Sequence, residues 1–318
     1  MQIVLITGAF GFVGTNLSRY LAKRGCEVWA LDVTAPESHV YERVFTWDAL
    51  AEIPLKRVDA VIHLAGKAHD TKNTSAPEQY FTINLGLTKK IVNACLEFAL
   101  KNKPRKFILF SSVKAAADSV EGILDEHHAP DPKTPYGQSK LKAEKCVLNA
   151  TQNHPDAFRG YVLRPCMIHG PGNKGNLNLL YNVVRRGFPW PLGAFENQRS
   201  FASIQNVCAV VEAIITRGIP PGVYNIADDE PLSTNTLVEL MAEVLRRKPR
   251  IWKIPPRLIR ALAKTGDILH LPLNTERLRK LTESYVASNA KIKAALQWNT
   301  MPVSAAEGMR ETLRHFCG

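Results

Sequence analysis

The chain lacks the run of about 20 apolar residues that a membrane helix needs; none of its apolar stretches comes near that length in 318 residues. Its six cysteines, Cys26, Cys95, Cys146, Cys166, Cys208 and Cys317, stand singly. Without a C-x-x-C pair there is no sequence support for a zinc site or a dithiol redox centre, so no metal is expected. The scatter suits reduced thiols in a cytoplasmic protein better than a disulfide framework. The opening "MQIVLITGAFGFVG" carries no basic leader and no small-residue cleavage site; it reads as a first strand, not a signal peptide. Internal repeats and low-complexity tracts are missing too. Acidic residues are in deficit, 29 against 41 Lys and Arg, which leaves a net charge of +12. An excess of that sign suits nucleic acid or an anionic small molecule. The cations are spread along the chain, with one denser segment at 246–264, so an anionic small-molecule substrate is expected and nucleic acid is not.

What is present is ordinary globular composition, 45% hydrophobic and 22% charged. The length suits one large α/β domain, or one domain with a smaller lobe. Apolar runs at 2–7, 27–32, 58–65 and 106–112 alternate with helical patterns at about 12–24 and 78–101. Such alternation predicts a doubly wound parallel sheet with helices on both faces and ligands at the strands' C-terminal ends. After residue 165 Pro and Gly cluster in "HGPGNKGN" and "GFPWPLG", while 222–227 reads as a strand returning to the sheet. We therefore expect a dinucleotide-binding domain over 1–166, completed by about 201–228, with a substrate lobe interleaved from 167–200 and 229–318.

In "TGAFGFVG", Gly8, Gly11 and Gly14 follow a strand and open a helix. Gly8 allows a sharp turn, Gly11 lets backbone approach a pyrophosphate, and Gly14 lets the helix pack on the strand. The helix N-terminus then meets the anion with free N–H groups. The spacing is G-x-x-G-x-x-G, and glycines are common at strand–helix junctions. Asp32, ending the second strand, strengthens the reading: a carboxylate there accepts from a ribose 2′-hydroxyl and repels a 2′-phosphate, which favours NAD over NADP. The plainer alternative is an Asp that caps the next turn.

Thr134 suits a helix N-cap and Pro135 its first turn, which places Tyr136 and Lys140 on one helix face. A phenol is a weak base near neutrality, and a neighbouring ammonium would stabilise its phenolate. "FILFSSVKA" offers hydroxyls, Ser111 and Ser112, at a strand's C-terminal end. A Tyr/Lys pair at this spacing also occurs on any amphipathic helix.

The glycine loop, "HLAG" at 63–66, "SS" at 111–112, "YGQSKLKAE" and "LRPCMIHGPG" together resemble the extended short-chain dehydrogenase/reductase family, in order and distance, through essentially the whole chain. The resemblance implies Tyr136 as general base and acid, Lys140 lowering its pKa and holding the nicotinamide ribose, and Ser112 orienting the reacting hydroxyl. It implies a cofactor lined by Phe10, Phe12, Val13, Leu64, Ala65, Gly66, Ser111 and Pro165, supported by Asn84, with Asp48 at the adenine. Substrate contacts follow at Lys67 and Val113, and at Asn176, Arg199 and Arg277 for a diphosphate. Family members mostly act on nucleotide sugars. Residues 175–206 look most like C4 epimerases and C4 ketoreductases; Val113 and Lys114 stand where 4,6-dehydratases carry Asp-Glu. The expected reaction is thus C4 epimerisation of a UDP-hexose or UDP-N-acetylhexosamine, the alternative being reduction of a UDP-4-keto-6-deoxy-hexosamine. A non-catalytic NAD(P)-sensing or RNA-associated relative is the alternative of another class. The resemblance also implies a homodimer through a four-helix bundle of the Tyr136 helix and the helix near 85–100, with Leu141 and Val147 on the shared face. His169, Asn206 and Asn289 depart from the family's Tyr, Asp and Asp.

Overall fold

The computed structural model describes every residue except 35, 37, 38, 69–75, 99–104, 174, 270–273 and 317–318, so Cys317 lies outside it. Strand β1 (Ile3–Thr7) runs into α1 (Phe12–Ala22), and β2 (Glu27–Asp32), β3 (Arg43–Thr46) and β4 (Ala60–His63) follow. Then comes a helix in three pieces: α2 (Pro77–Tyr80), a π-helical turn over Phe81–Gly86, and α3 (Leu87–Glu97). After β5 (Arg105–Phe110) and the short β6 (Ile123–Leu124) come α4 (Pro135–Asn153), β7 (Phe158–Pro165) and β8 (Met167–His169). The chain continues through α5 (Asn176–Arg185), β9 (Phe201–Ser203), α6 (Ile204–Thr216), β10 (Gly222–Ile226) and α7 (Thr234–Val244). It ends in α8 (Pro256–Ile268), α9 (Thr275–Thr282), β11 (Val286–Ala287), α10 (Ala290–Leu296) and α11 (Ala305–Arg314).

Seven strands form one parallel sheet in the order β10-β7-β5-β4-β1-β2-β3. Its central strands read as unbroken apolar runs because helices cover both faces. One face buries Val4, Ile6, Ile62 and Ile108 against α1 and α6; the other buries Leu5, Val61, Phe107 and Leu109 against α3 and α4. Strand order reverses between β1 and β4, which opens a crevice at their C-terminal ends. The two turns there are in contact: a Cβ on Gly8 would lie 2.7 Å from the Ala65 nitrogen. Val147 belongs to the second of these cores and is fully buried. This corrects its expected place on a dimer face, because α4 turns that side to the sheet; Leu141 remains partly exposed.

A third core joins α5, α7, α8, α9 and α11 through Leu177, Tyr181, Leu237, Met241, Ile259 and Met309. Residues 201–226 leave this lobe, pack α6 on α1 and add β10 to the sheet edge. The acidic run that follows β10 ties the lobes together. Asp228 accepts from the Ser203 N–H and Asn206, Asp229 from Asn289, Lys293 and the Met301 N–H, and Glu230 from the Ala305 N–H.

Candidate active site

The glycine loop closes tightly. Gly8 holds φ +65°, and a Cβ on Gly14 would lie 2.4 Å from the Ala9 carbonyl oxygen, so neither position accepts a side chain. Gly11 is exposed and meets only the Gly8 oxygen. No side chain caps α1, which leaves its first-turn N–H groups for an anion. Asp32 is fixed by the N–H groups of Phe10, at 2.9 Å, and Val33, at 2.8 Å. Its carboxylate keeps acceptor capacity beside the loop, as a ribose diol requires. Asp48 is exposed on the turn after β3, next to β2 in the sheet. Phe10 packs edge-on against Tyr41, with centroids 5.1 Å apart. Phe12 lies on the chain at Gly170 and Gly172, whereas Val13 is half-buried in the first turn of α1.

The next layer rests on a polar chain that the sequence did not announce. Thr7 Oγ1 lies 2.7 Å from His63 Nδ1 and accepts from the Ala65 N–H, and His63 Nε2 lies 3.0 Å from Thr88 Oγ1. Burial drives His63 down to about 3, so it is neutral and positions the Leu64-Ala65-Gly66 turn rather than exchanging protons. Asn84 sits in the π-helical turn, a distortion frequent at functional sites. Its amide accepts from the Lys67 N–H at 2.7 Å and donates to the Lys67 oxygen and to Ser139.

Helix α4 starts as expected: Thr134 Oγ1 accepts from the Gly137 N–H, and Pro135 occupies the first turn. Asp118 anchors this start through the Lys133 and Thr134 N–H groups and the Thr134 hydroxyl. Tyr136 stacks edge-on against Tyr80 at 6.1 Å. Burial raises its phenol above 10, and a hydrogen bond with the Ser112 side chain works the other way. Ser112 also caps the turn over Val113–Ala115 through the Lys114 N–H. Lys140 is buried and donates to the Phe110 carbonyl at 2.9 Å; burial lowers it to about 8, against a raising effect of Glu144. The ammonium also approaches Gly66, where a Cβ would lie 3.1 Å from Lys140 Nζ and 2.8 Å from Asn84 Oδ1, closer than Cβ atoms pack. Gly66→Ala would therefore push on both groups. A loss of at least about tenfold in affinity for NAD is expected, with overpacking costing roughly 1–3 kcal/mol of stability. Isothermal titration and thermal melting measure both; unchanged NAD affinity would mean that Lys140 and Asn84 are not part of the cofactor site.

Ser111 is placed apart from Ser112. Its hydroxyl donates to Glu144, which forms a buried bidentate ion pair with Arg164. Pro165 ends β7 opposite Ile226, and Val113 is buried with its carbonyl held by the Tyr285 hydroxyl. Lys67 Nζ lies 5.8 Å from the centre of the Tyr80 ring. Asn176 begins α5, and its side chain lies outside the described residues. Arg199 lies against the end of α9. Its guanidinium donates to the carbonyls of Glu283 and Lys280, closing the C-terminal end of α9, where carbonyls lack partners. Arg277 is exposed on α9, its N–H held by Asn274.

A parallel sheet whose reversal point carries a glycine loop, with a Ser–Tyr pair and a buried Lys beside it, defines a dinucleotide-dependent enzyme acting on a hydroxyl or carbonyl. Residues 4–227 match the NAD dependent epimerase/dehydratase family, and the chain belongs to it. It is thus an enzyme of the extended short-chain dehydrogenase/reductase class, with NAD as cofactor. It is 28% identical to a UDP-glucose 4-epimerase of Vibrio cholerae, over 98% of this chain and 95% of that one. Identity is also 28% with a GDP-6-deoxy-D-mannose reductase of Pseudomonas aeruginosa, over 82% of this chain and 86% of that protein. The structure of a UDP-N-acetylglucosamine 4-epimerase from Bacillus cereus shares the fold, with a TM-score of 0.78, 20% identity and 100% of both chains covered.

Proposed function

We propose that the protein is a nucleotide-sugar C4 epimerase acting on a UDP-hexose or UDP-N-acetylhexosamine. The Ser112–Tyr136 hydrogen bond beside the glycine loop carries the reading. A sugar hydroxyl entering there takes the place of one partner in a bond already made. NAD, when bound, supplies the acceptor for a hydride from C4. Tyr136 takes the proton of the C4 hydroxyl while Ser112 orients it. The 4-keto sugar then turns and takes the hydride back on the opposite face of C4, while Tyr136 gives its proton back to O4. Lys140 and Asn84 hold the nicotinamide end, the first-turn N–H groups of α1 the pyrophosphate, and Asp32 the adenosine ribose. Lys67, Val113, Asn176 and Arg277 are assigned to the substrate, with whatever donors Arg199 keeps from α9. The enzyme works in the cytoplasm, as a homodimer through the exposed faces of α3 and α4; light scattering at micromolar concentration is expected to give twice the chain mass, and a monomer overturns that pairing.

A second reading has its own support in the reductase of Pseudomonas aeruginosa, equal to the epimerase in identity at 28% but over 82% of this chain against 98%. One incubation separates the two. Purified enzyme with UDP-glucose or UDP-N-acetylglucosamine, and no added cofactor, is expected to yield the C4 epimer. Absence of epimer, together with consumption of a UDP-4-keto-6-deoxy sugar and NADH, replaces epimerase by reductase.

A further inference from the structure

On the second lobe, away from the glycine loop and Tyr136, a cavity of about 460 Å³ opens between the C-terminal ends of α5 and α7. Four cations line it, Arg186, Arg247, Lys248 and Arg250, together with Phe188, and no carboxylate does. The cations are held without being neutralised. Arg247 donates to the Arg185 carbonyl at 2.6 Å and Arg250 to that of Gly187 at 3.2 Å. Among the described residues none of the four forms an ion pair. Four like charges gathered this way repel one another, and an anionic partner relieves the repulsion.

The apolar groups at the rim distinguish the partner. Phe188 is 60% exposed and Trp252 57% exposed. Backbone bonds between Trp190 and both Arg250 and Trp252 put the two segments side by side. Ile251 turns inward against Gly193, so Arg250 and Trp252, its neighbours, point to the other side. Four residues beyond Trp252 begins α8, which buries Ile259, Ala263 and Gly266. Leu258 and Leu262, both 58% exposed, and Leu269 at its C-cap, 61% exposed, form a second apolar stripe. Cationic side chains with exposed aromatic rings, followed in the chain by a helix with exposed leucines, match the chemistry of a bilayer interface. A nucleic acid would use the cations and leave the leucines without purpose.

We propose that this face, the cationic groove with Phe188 and Trp252 continued by the leucines of α8, docks the enzyme on the surface of an anionic phospholipid membrane. The groove takes lipid phosphates, the two aromatic rings enter the headgroup layer, and the protein stays peripheral. The active-site reading is independent of this surface.

The test is co-sedimentation of the full chain with vesicles of phosphatidylcholine alone or with phosphatidylglycerol added. Binding is expected to the anionic vesicles only. Each cation near the surface contributes about 1 kcal/mol, roughly fivefold in affinity, so R186Q with K248Q together is expected to weaken binding about 25-fold. These two are chosen because neither side chain holds a backbone carbonyl among the described contacts. F188S with W252S is expected to lose at least tenfold while its melting temperature and C4 chemistry stay those of the parent. Trp252 emission is expected to shift to the blue on anionic vesicles, a shift that W252F removes. No binding to anionic vesicles overturns the proposal. So does full binding by F188S/W252S, which means attraction by charge alone, or equal affinity for a single-stranded oligonucleotide that these two substitutions leave unchanged, which means an electrostatic nucleic-acid surface.

Discussion

Replacing Tyr136 by Phe is expected to lower kcat by a factor of about 10² to 10⁴, the range general acid–base groups supply, equivalent to roughly 3–5 kcal/mol of transition-state stabilisation. The substitution keeps the ring and so keeps its edge-on contact with Tyr80. What goes is the hydroxyl that bonds Ser112 and would exchange the C4 proton. Because that exchange occurs in the transition state, the loss falls on kcat and KM moves little. Ser112→Ala is expected to cost less, since Tyr136 keeps its proton-transfer role and loses only the bond that orients it. Steady-state kinetics on the sugar that responds in the epimerase assay gives both numbers. Turnover by Tyr136→Phe within twofold of the parent would remove Tyr136 from the chemistry.

The structure also divides the labour between Tyr136 and Lys140 more sharply than their spacing suggests. A separation of four residues puts two side chains on one face but does not say where their ends point. Here the ammonium meets the Phe110 carbonyl and approaches Gly66, while a hydrogen bond joins the phenol to Ser112.

The parts legible in the sequence share a property: each depends on local geometry. Gly8 and Gly14 had to be glycine because a turn and a close helix–strand approach leave no room for Cβ. Thr134-Pro135 marked a helix start through capping chemistry, and the structure has that cap. The continuous apolar runs of β1, β4 and β5 announced a sheet covered on both faces. What stayed hidden depends on partners distant in sequence. His63 reads as part of "HLAG", but its function is set by Thr7 and Thr88 on other elements. The contacts of Arg199 with the carbonyls of Glu283 and Lys280, more than 80 residues away in the chain, could not be read from its own segment. Val147 looked available to a partner because nothing local tells which side of α4 meets the sheet.

The departures at 206 and 289 become intelligible at the same level, and they set up a second large effect. Asn206 is fully buried; its amide donates to Asp228 at 2.7 Å and to the Val303 carbonyl at 2.8 Å, and accepts from the Val303 N–H at 2.9 Å. Asp at 206 would lose both donations and set a second carboxylate against Asp228, whose far oxygen lies 3.4 Å from His169 and whose charge also acts on the Cys166 thiol. Two buried carboxylates in contact cannot both ionise cheaply, so one holds its proton far above the unfolded value near 3.9. A carboxyl raised in the folded state contributes stability that is complete below the unfolded pKa and is lost as pH rises through the folded one. Asn206→Asp is therefore expected to be closest to the parent near pH 4–5 and to fall away toward pH 8, where an uncompensated buried charge costs about 3–5 kcal/mol. At roughly 2–4 °C per kcal/mol for a chain of this order, that is a melting temperature lower by about 10 °C. Asn206→Ala loses the same hydrogen bonds without the charge, so its deficit should not change with pH over that span. Asn289→Asp should be milder than Asn206→Asp, because Lys293 stands 2.7 Å from Asp229 and the Asp229 side chain is 18% exposed. Burial by itself would raise the Asp229 carboxyl, yet hydrogen bonds from Lys293, Asn289 and the Met301 N–H outweigh it and leave it below the usual range, so a cation is already in place to meet a second carboxylate. Differential scanning fluorimetry of the three variants from pH 5 to 8 decides the matter. An Asn206→Asp deficit that is flat with pH would mean the new carboxyl never faces Asp228, and that the asparagine is held for its amide geometry alone.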